Sequence, residues 1–194
     1  MSYRAGRAFP FITAGVIALG IALAGPILVR ADEVAAPKGA VIVTVIDAIG
    51  STNRPPFDAF EDAFIGYHEY RFEKALELDR AMLEALGMQE ATIDYAGWPG
   101  PIRFEGPLLR DVLDQAGATG DTITLVALDG YAERIERAEL DDQDWILAIR
   151  GDGRDLGIGQ HGPAWLVYQR RDGATATAED EARWPWAVFL IAVE

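Results

Sequence analysis

Runs of apolar residues along the chain predict a set of short core strands. Four runs are predominantly apolar and rich in β-branched residues, as buried strands are: residues 40–49, 122–128, 145–149 and 187–193. Looser alternation predicts further strands at 91–95 and within 67–78, the latter ending near Leu78. Residues 132–137 are charged except for Ile135, a pattern typical of an edge strand with one inward side chain.

Apolar residues at helical spacing predict two short helices, at 80–86 and 108–113. Asp79 is placed to cap the first, and Gly87 and Gly117 follow the last apolar residues of the two, where glycine favours a helix end. An acidic turn or third helix is expected at 140–144, a hairpin at 150–154 and a polar loop at 170–182. The pattern therefore predicts an α+β domain.

Several short motifs follow one another in an order more specific than any one of them. Phe104 and Gly106 precede Leu-x-x-Val-Leu at 109–113, and the strand at 122–128 ends in Asp-Gly-Tyr at 129–131. Gly153, Leu156 and the segment 161–163, His-Gly-Pro, come later. Over roughly residues 72–194 the chain thus resembles the molybdopterin-binding domain of the sulfite-oxidase type. The resemblance implies a mixed, partly curled β-sheet with a few short helices outside it.

The chain departs from that family at two positions that carry its chemistry. In the family a cysteine thiolate ligates the molybdenum, but the matching region near 94–98 has none, and the whole chain contains no cysteine. None of the residues there is a soft ligand that replaces a thiolate on molybdenum. An arginine for the anionic substrate follows the family's histidine segment, whereas Ala164 and Trp165 stand here. We therefore expect no cofactor and no catalytic residue, with molybdopterin bound only if ligation is atypical.

The motif segments nevertheless contain side chains suited to a pocket. Trp98 either lines this pocket or plugs it, and Asp129 with Tyr131 forms either a site or a tight turn. His161 is one of two histidines, so a multi-histidine metal site is excluded and no metal ligand is expected. The acids at 58, 61 and 62 form either a solvated face or a cation site. The candidate ligand-binding residues are Trp98, Arg103, Asp129, Tyr131, His161 and Trp165.

Charge limits the partners that the chain can have. Three of the 17 basic residues precede Asp32 and none of the 31 acidic residues does, so the part from Asp32 onward carries a formal charge of −17. Such a surface repels nucleic acid and favours cations or basic partners.

The N-terminus has the features of an export signal. Arg4 and Arg7 precede an uncharged run at 8–29, and Val29 and Ala31 are small residues at the two cleavage-site positions. The run is also long enough to remain as a membrane anchor. We expect a signal peptide or uncleaved anchor at 1–31, a linker at 32–39 and one domain at 40–194. Either alternative predicts a periplasmic domain, with membrane contact only through the N-terminal segment.

Three functions remain open from the sequence. The first is a non-catalytic module outside the cytoplasm that binds or senses a small molecule or a protein partner, the latter basic or membrane-bound. The second is a molybdopterin-dependent oxidoreductase with atypical ligation. The third is an accessory subunit of a membrane complex. Loss of the metal ligand and of the substrate arginine favours the first.

Overall fold

The computed structural model describes residue 1 and residues 34–194. The described part is α+β, as predicted. Its strands are β1 (Val41–Asp47), β2 (Ala75–Asp79), β3 (Gln89–Ile93), β4 (Ile102–Gly106), β5 (Thr122–Ala127), β6 (Ala132–Glu136), β7 (Ile146–Ala148), β8 (Arg150–Gly151), β9 (Arg154–Asp155), β10 (Trp165–Val167) and β11 (Val188–Val193). Its helices are α1 (Ala63–Tyr67), α2 (Arg80–Ala85), α3 (Leu109–Gln115), α4 (Glu139–Asp142) and α5 (Ala178–Glu181).

The largest sheet has five strands in the order β2-β1-β11-β5-β6. β1 and β11 run parallel, with Thr44 opposite Leu190, and the other neighbours are antiparallel. Val45 packs in the larger of two apolar clusters and Ile46 in the smaller, so successive residues of β1 point to opposite covered faces. This explains the continuous apolar run in the sequence. β6 lies at an edge with only Ile135 buried, which confirms the predicted edge strand.

The remaining strands form two further sheets, one in the order β3-β4-β8-β9 and one of β7 and β10. The prediction of one curled sheet is therefore too simple, because hydrophobic periodicity indicates strands but does not indicate which of them pair. β8 and β9 form the predicted hairpin, with Asp152 and Gly153 at positive φ between them.

The predicted helices at 80–86 and 108–113 are confirmed as α2 and α3, and α4 overlaps the acidic segment, whereas α1 and α5 lie where no helix was predicted. Asp79 accepts a hydrogen bond from the backbone N–H of Met82 and caps α2, as predicted. The expected polar loop at 170–182 instead contains α5. Thr177 and Asp180 form a reciprocal capping box there, and the buried Asp180 also accepts a 2.6 Å hydrogen bond from the Tyr168 hydroxyl. A contact between distant residues thus stabilises a single turn that periodicity cannot detect.

The predicted targeting segment lies outside the described residues, apart from Met1. Residues 34–40 have no helix or strand, but the backbone N–H groups of Lys38 and Gly39 donate to Asp79 at 2.7 and 2.8 Å. The end of the predicted linker is therefore bound to the domain. Within residues 34–194 no helix has the length and apolar character needed to cross a membrane.

Candidate functional site

Four aromatic side chains pack around Trp98 beneath the candidate site. The ring centroids of Tyr95, Phe104, Trp165 and Trp184 lie 5.3–5.9 Å from that of Trp98. β4 supplies Phe104 and β10 supplies Trp165, both buried, and the Trp165 indole N–H donates to the Trp184 carbonyl at 3.1 Å. Trp98 is half-buried in this cluster, which agrees with the plug alternative.

A cleft of about 550 Å³, here called the histidine cleft, opens above this cluster. The exposed imidazole of His161 stacks on the buried indole of Trp165, with centroids 4.4 Å apart and planes inclined by 20°. The apolar part of the lining comprises Ile102, Phe104, Leu156 and Trp165, and the polar part comprises Asp152, Arg154, Asp155, Gln160 and His161. The cleft thus combines aromatic and aliphatic surface with hydrogen-bonding groups.

The charges of the histidine cleft nearly balance. Asp155 lies within ion-pair distance of Arg80 and Arg150, while no carboxylate pairs with Arg154 within the described part of the chain. Asp152 accepts a hydrogen bond from the backbone N–H of Arg103. The lining thus contains one arginine and two carboxylates, and the cleft has no strong net charge to attract an anion.

A second cleft of about 220 Å³, here called the tyrosine cleft, has a different lining: Ala127, Asp129, Tyr131, Glu181, Ala182, Trp184, Pro185 and Trp186. Asp129 accepts a hydrogen bond from the Tyr131 N–H at 3.0 Å, and Gly130 between them has φ of +91°. The turn alternative is therefore confirmed for the Asp-Gly-Tyr segment, and the same turn also lines a cleft. Its role as a binding site stays a prediction.

Tyr131 is held in place by its hydroxyl group. This group donates to the Ala182 carbonyl at 2.9 Å and lies 3.2 Å from a Glu133 carboxylate oxygen. Partial burial and the negative charge of Glu133 raise the pKa of Tyr131. The phenol therefore stays neutral at physiological pH, with its ring fixed at the edge of the cleft.

The predicted site residues thus fall into three groups. His161 and Trp165 line the histidine cleft, whereas Asp129 and Tyr131 line the tyrosine cleft. Trp98 and Arg103 line neither. Arg103 is exposed on β4, where the side chains of alternate residues turn away from the cleft, and it pairs with Glu105 at 3.1 Å.

Several cleft residues carry no signal in the sequence that assigns them to a site. The sequence predicts a hairpin around Asp152, Arg154 and Asp155, and it places Gln160 in a glycine-rich loop. Trp186 belongs to a Trp-Pro-Trp segment before the last strand, and a pair of aromatic residues around a proline is the one available hint. Trp186 lines the tyrosine cleft and contacts His161 edge-on at 5.6 Å, so it lies beside both clefts.

The acidic segment at 58–62 has a structural explanation. Asp62 is buried and pairs with Arg54 at 2.6 Å, and Asp58 accepts hydrogen bonds from the backbone N–H groups of Phe60 and Glu61. Among residues 34–194 no group of three or more histidine, aspartate or glutamate side chains is arranged to hold a metal ion.

No protein-family model matches the chain, and no curated protein is significantly similar to it. Function is therefore inferred from the chemistry of the two clefts.

Proposed function

We propose that the chain is a non-catalytic binding module of the sulfite-oxidase type, exported to the periplasm, and that its histidine cleft binds a flat, uncharged ring compound. The observation that carries this proposal is the exposed His161 ring stacked on the buried Trp165 at the wall of a 550 Å³ cleft. Open clefts with apolar walls and a few polar groups are the usual sites of small-molecule binding.

The lining of the cleft supports a ring compound over other ligands. The exposed ring of His161 offers aromatic surface for stacking at 4–5 Å, as offset aromatic pairs do, and the buried Phe104 and Trp165 form apolar lining next to it. Asp152 and Gln160 provide oxygen acceptors for ring N–H groups, and Arg154 provides a donor for a ring carbonyl. A nitrogen-containing ring with both donors and acceptors satisfies all of these groups.

Molybdopterin itself does not fit these residues. The chain has no cysteine for the metal, and Trp98, in the region where the family has its thiolate, packs on Trp165 and Trp184. Arg154 is the one basic side chain in the lining, and two carboxylates flank it, which disfavours the phosphate of the pterin. We therefore assign no redox step to the cleft. Stoichiometric molybdenum in protein purified from a molybdenum-replete host would contradict this part of the proposal.

Ligand-observed NMR on the purified protein tests the binding function. Pterin and lumichrome serve as uncharged ring probes, and flavin mononucleotide serves as a ring that carries a phosphate. We expect the uncharged rings to bind and flavin mononucleotide to bind more weakly. His161→Ala should weaken binding about tenfold, the range of one aromatic contact. Ile158→Ala is the control, because Ile158 is exposed in the same loop and does not line the cleft.

Two results would count against the histidine cleft. The first is that neither uncharged ring binds at millimolar concentration. The second is that His161→Ala and Ile158→Ala bind the rings equally well, which would place the binding elsewhere on the protein.

A further inference from the structure

The tyrosine cleft contains aromatic rings and carboxylates but no basic side chain. Tyr131 and Trp186 contribute exposed rings, the mostly buried Trp184 also belongs to the lining, and Asp129 and Glu181 contribute the carboxylates. The rest of its lining is apolar: Ala127, Ala182 and Pro185. The face of an aromatic ring carries partial negative charge, so rings and carboxylates together attract a cation.

The two carboxylates of the cleft are not neutralised by neighbouring arginines. Within residues 34–194 neither Asp129 nor Glu181 lies in an ion pair, and Asp129 only accepts the hydrogen bond of its own turn. The guanidinium of Arg183, which follows Glu181 by two residues, is bound by Glu133 at 2.8 Å and by Glu139 at 2.7 Å. Arg183 thus already has two acidic partners, and the negative charge of Asp129 and Glu181 remains available.

The rings are positioned before any ligand arrives. The Tyr131 hydroxyl is fixed by the Ala182 carbonyl, and Trp184 is only 3% exposed, within the aromatic cluster. Trp186, by contrast, is 44% exposed, although the size and apolar character of tryptophan favour burial. Its ring is therefore accessible to a ligand. Fixed rings lose little conformational entropy on binding, which favours ligand affinity.

We propose that the tyrosine cleft binds a small organic cation of the quaternary ammonium class. The rings and the apolar residues contact the methyl groups of such a cation, while Asp129 and Glu181 balance its charge. A primary ammonium is more strongly hydrated and loses more hydration on entering the cleft, whereas a quaternary ammonium has no N–H groups to desolvate and contacts ring faces through its methyl groups. The cation is either a free solute or the headgroup of a choline lipid. This inference does not rest on the histidine cleft.

Calorimetric titration of the purified protein with choline tests the proposal. The matched neutral probe is 3,3-dimethylbutan-1-ol, which has the shape of choline without its charge. We expect saturable choline binding, at least about tenfold weaker binding of the neutral probe, and weaker binding of n-butylammonium. Vesicles of phosphatidylcholine, compared with vesicles of phosphatidylglycerol, distinguish a lipid headgroup from a free solute.

Paired variants assign the binding to this cleft. Glu181→Gln should weaken choline binding several-fold, while Glu179→Gln, an exposed acid two residues earlier on α5, removes the same charge outside the cleft and should have little effect. Trp186→Leu should weaken it about tenfold, whereas Phe60→Leu, at an 85% exposed aromatic elsewhere, should not.

Two further outcomes decide the matter. Gln160→Ala changes the histidine cleft and should leave choline binding unchanged. Loss of ring binding in the histidine cleft can therefore be distinguished from loss of choline binding in the tyrosine cleft. Equal binding of choline and the neutral probe, or no binding of choline and of phosphatidylcholine vesicles at millimolar concentration, would overturn the proposal.

Discussion

Gly106 lies where β4 passes against the backbone of β7, close to Leu147 and Ala148. A side chain at this position would meet the carbonyl oxygen of Leu147, which belongs to the backbone and cannot rotate away. Gly106→Ala should therefore lower the free energy of unfolding by about 1–3 kcal/mol, as overpacked sites do. Denaturant unfolding measures this loss of stability. Gly100→Ala is the control, because nothing lies within 4 Å of a Cβ atom at position 100. Equal stability of the two variants would contradict this close approach of strands.

Trp98 and His161 differ in what surrounds them, although the sequence makes both candidates for one pocket. Trp98 has four aromatic neighbours within 6 Å, whereas His161 is exposed. Trp98→Ala should therefore lower the free energy of unfolding by about 2–3 kcal/mol, somewhat less than truncation of a fully buried tryptophan does. His161→Ala should lower it by less than about 1 kcal/mol. Thermal unfolding of both variants measures the difference. If His161→Ala lowered the melting temperature more than Trp98→Ala, the packing of Trp98 in the aromatic cluster would be contradicted.

Residue types indicated candidate side chains, but they did not indicate which of these side chains lie in the same cleft. His161 and Trp165 do share a cleft, because only three residues separate them along the chain. Asp129 meets Glu181 and Trp186 through pairing of the distant strands β5 and β11, which local pattern cannot predict.

At the scale of elements, α5 depends on a buried carboxylate. Burial alone would raise the pKa of Asp180, but hydrogen bonds from Tyr168, Thr177 and Arg170 outweigh it and lower the pKa to about 2. A carboxyl group whose pKa is lowered by folding stabilises the fold above its ordinary pKa near 3.8, and loses that contribution as the pH falls through its folded value.

Asp180→Asn should therefore cost about 1–3 kcal/mol at pH 7, the range for a buried polar group that loses charged hydrogen bonds. The difference in free energy of unfolding between the variant and the parent protein should become smaller as the pH falls from about 4 to about 2. Urea unfolding at a series of pH values tests this, with Glu179→Gln as an exposed neighbour that should change little. A difference that stays constant down to pH 2 would show that the charge of Asp180 is not what stabilises α5.

The core strands and the Asp79 cap were predictable because each depends on a few neighbouring residues. β1 and β11 are continuous apolar runs, and Asp79 stands directly before a helical pattern. The division into three sheets was not predictable, since it depends on pairing between strands far apart in sequence. α5 was missed for a related reason, because its stability depends on the hydroxyl of Tyr168, which approaches Asp180 only in the folded chain.

Over the whole molecule, acidic residues exceed basic ones by 14, and by 17 from Asp32 onward. Most arginines with ion pairs have two acidic partners, as Arg54, Arg150, Arg170 and Arg183 do. The charge of these four arginines is thus balanced by nearby carboxylates, and the overall surplus of carboxylates creates a field that concentrates cations near the surface. This field favours the cation proposed for the tyrosine cleft and disfavours nucleic acid as a partner.

The N-terminal segment determines whether this acidic domain is released or anchored, and we expect release after Ala31. Arg4 and Arg7 followed by uncharged residues at 8–29 predict an export signal, and the prolines and glycines of this run disfavour a stable spanning helix. Intact mass of protein from the periplasmic fraction of a Gram-negative host should correspond to a chain that begins at Asp32. Ala31→Arg should block cleavage, because the processing site requires a small residue there, and should leave the full-length precursor in the membrane fraction. A parent protein that begins at Met1 and sediments with the membrane would contradict cleavage and would favour an anchored subunit of a membrane complex.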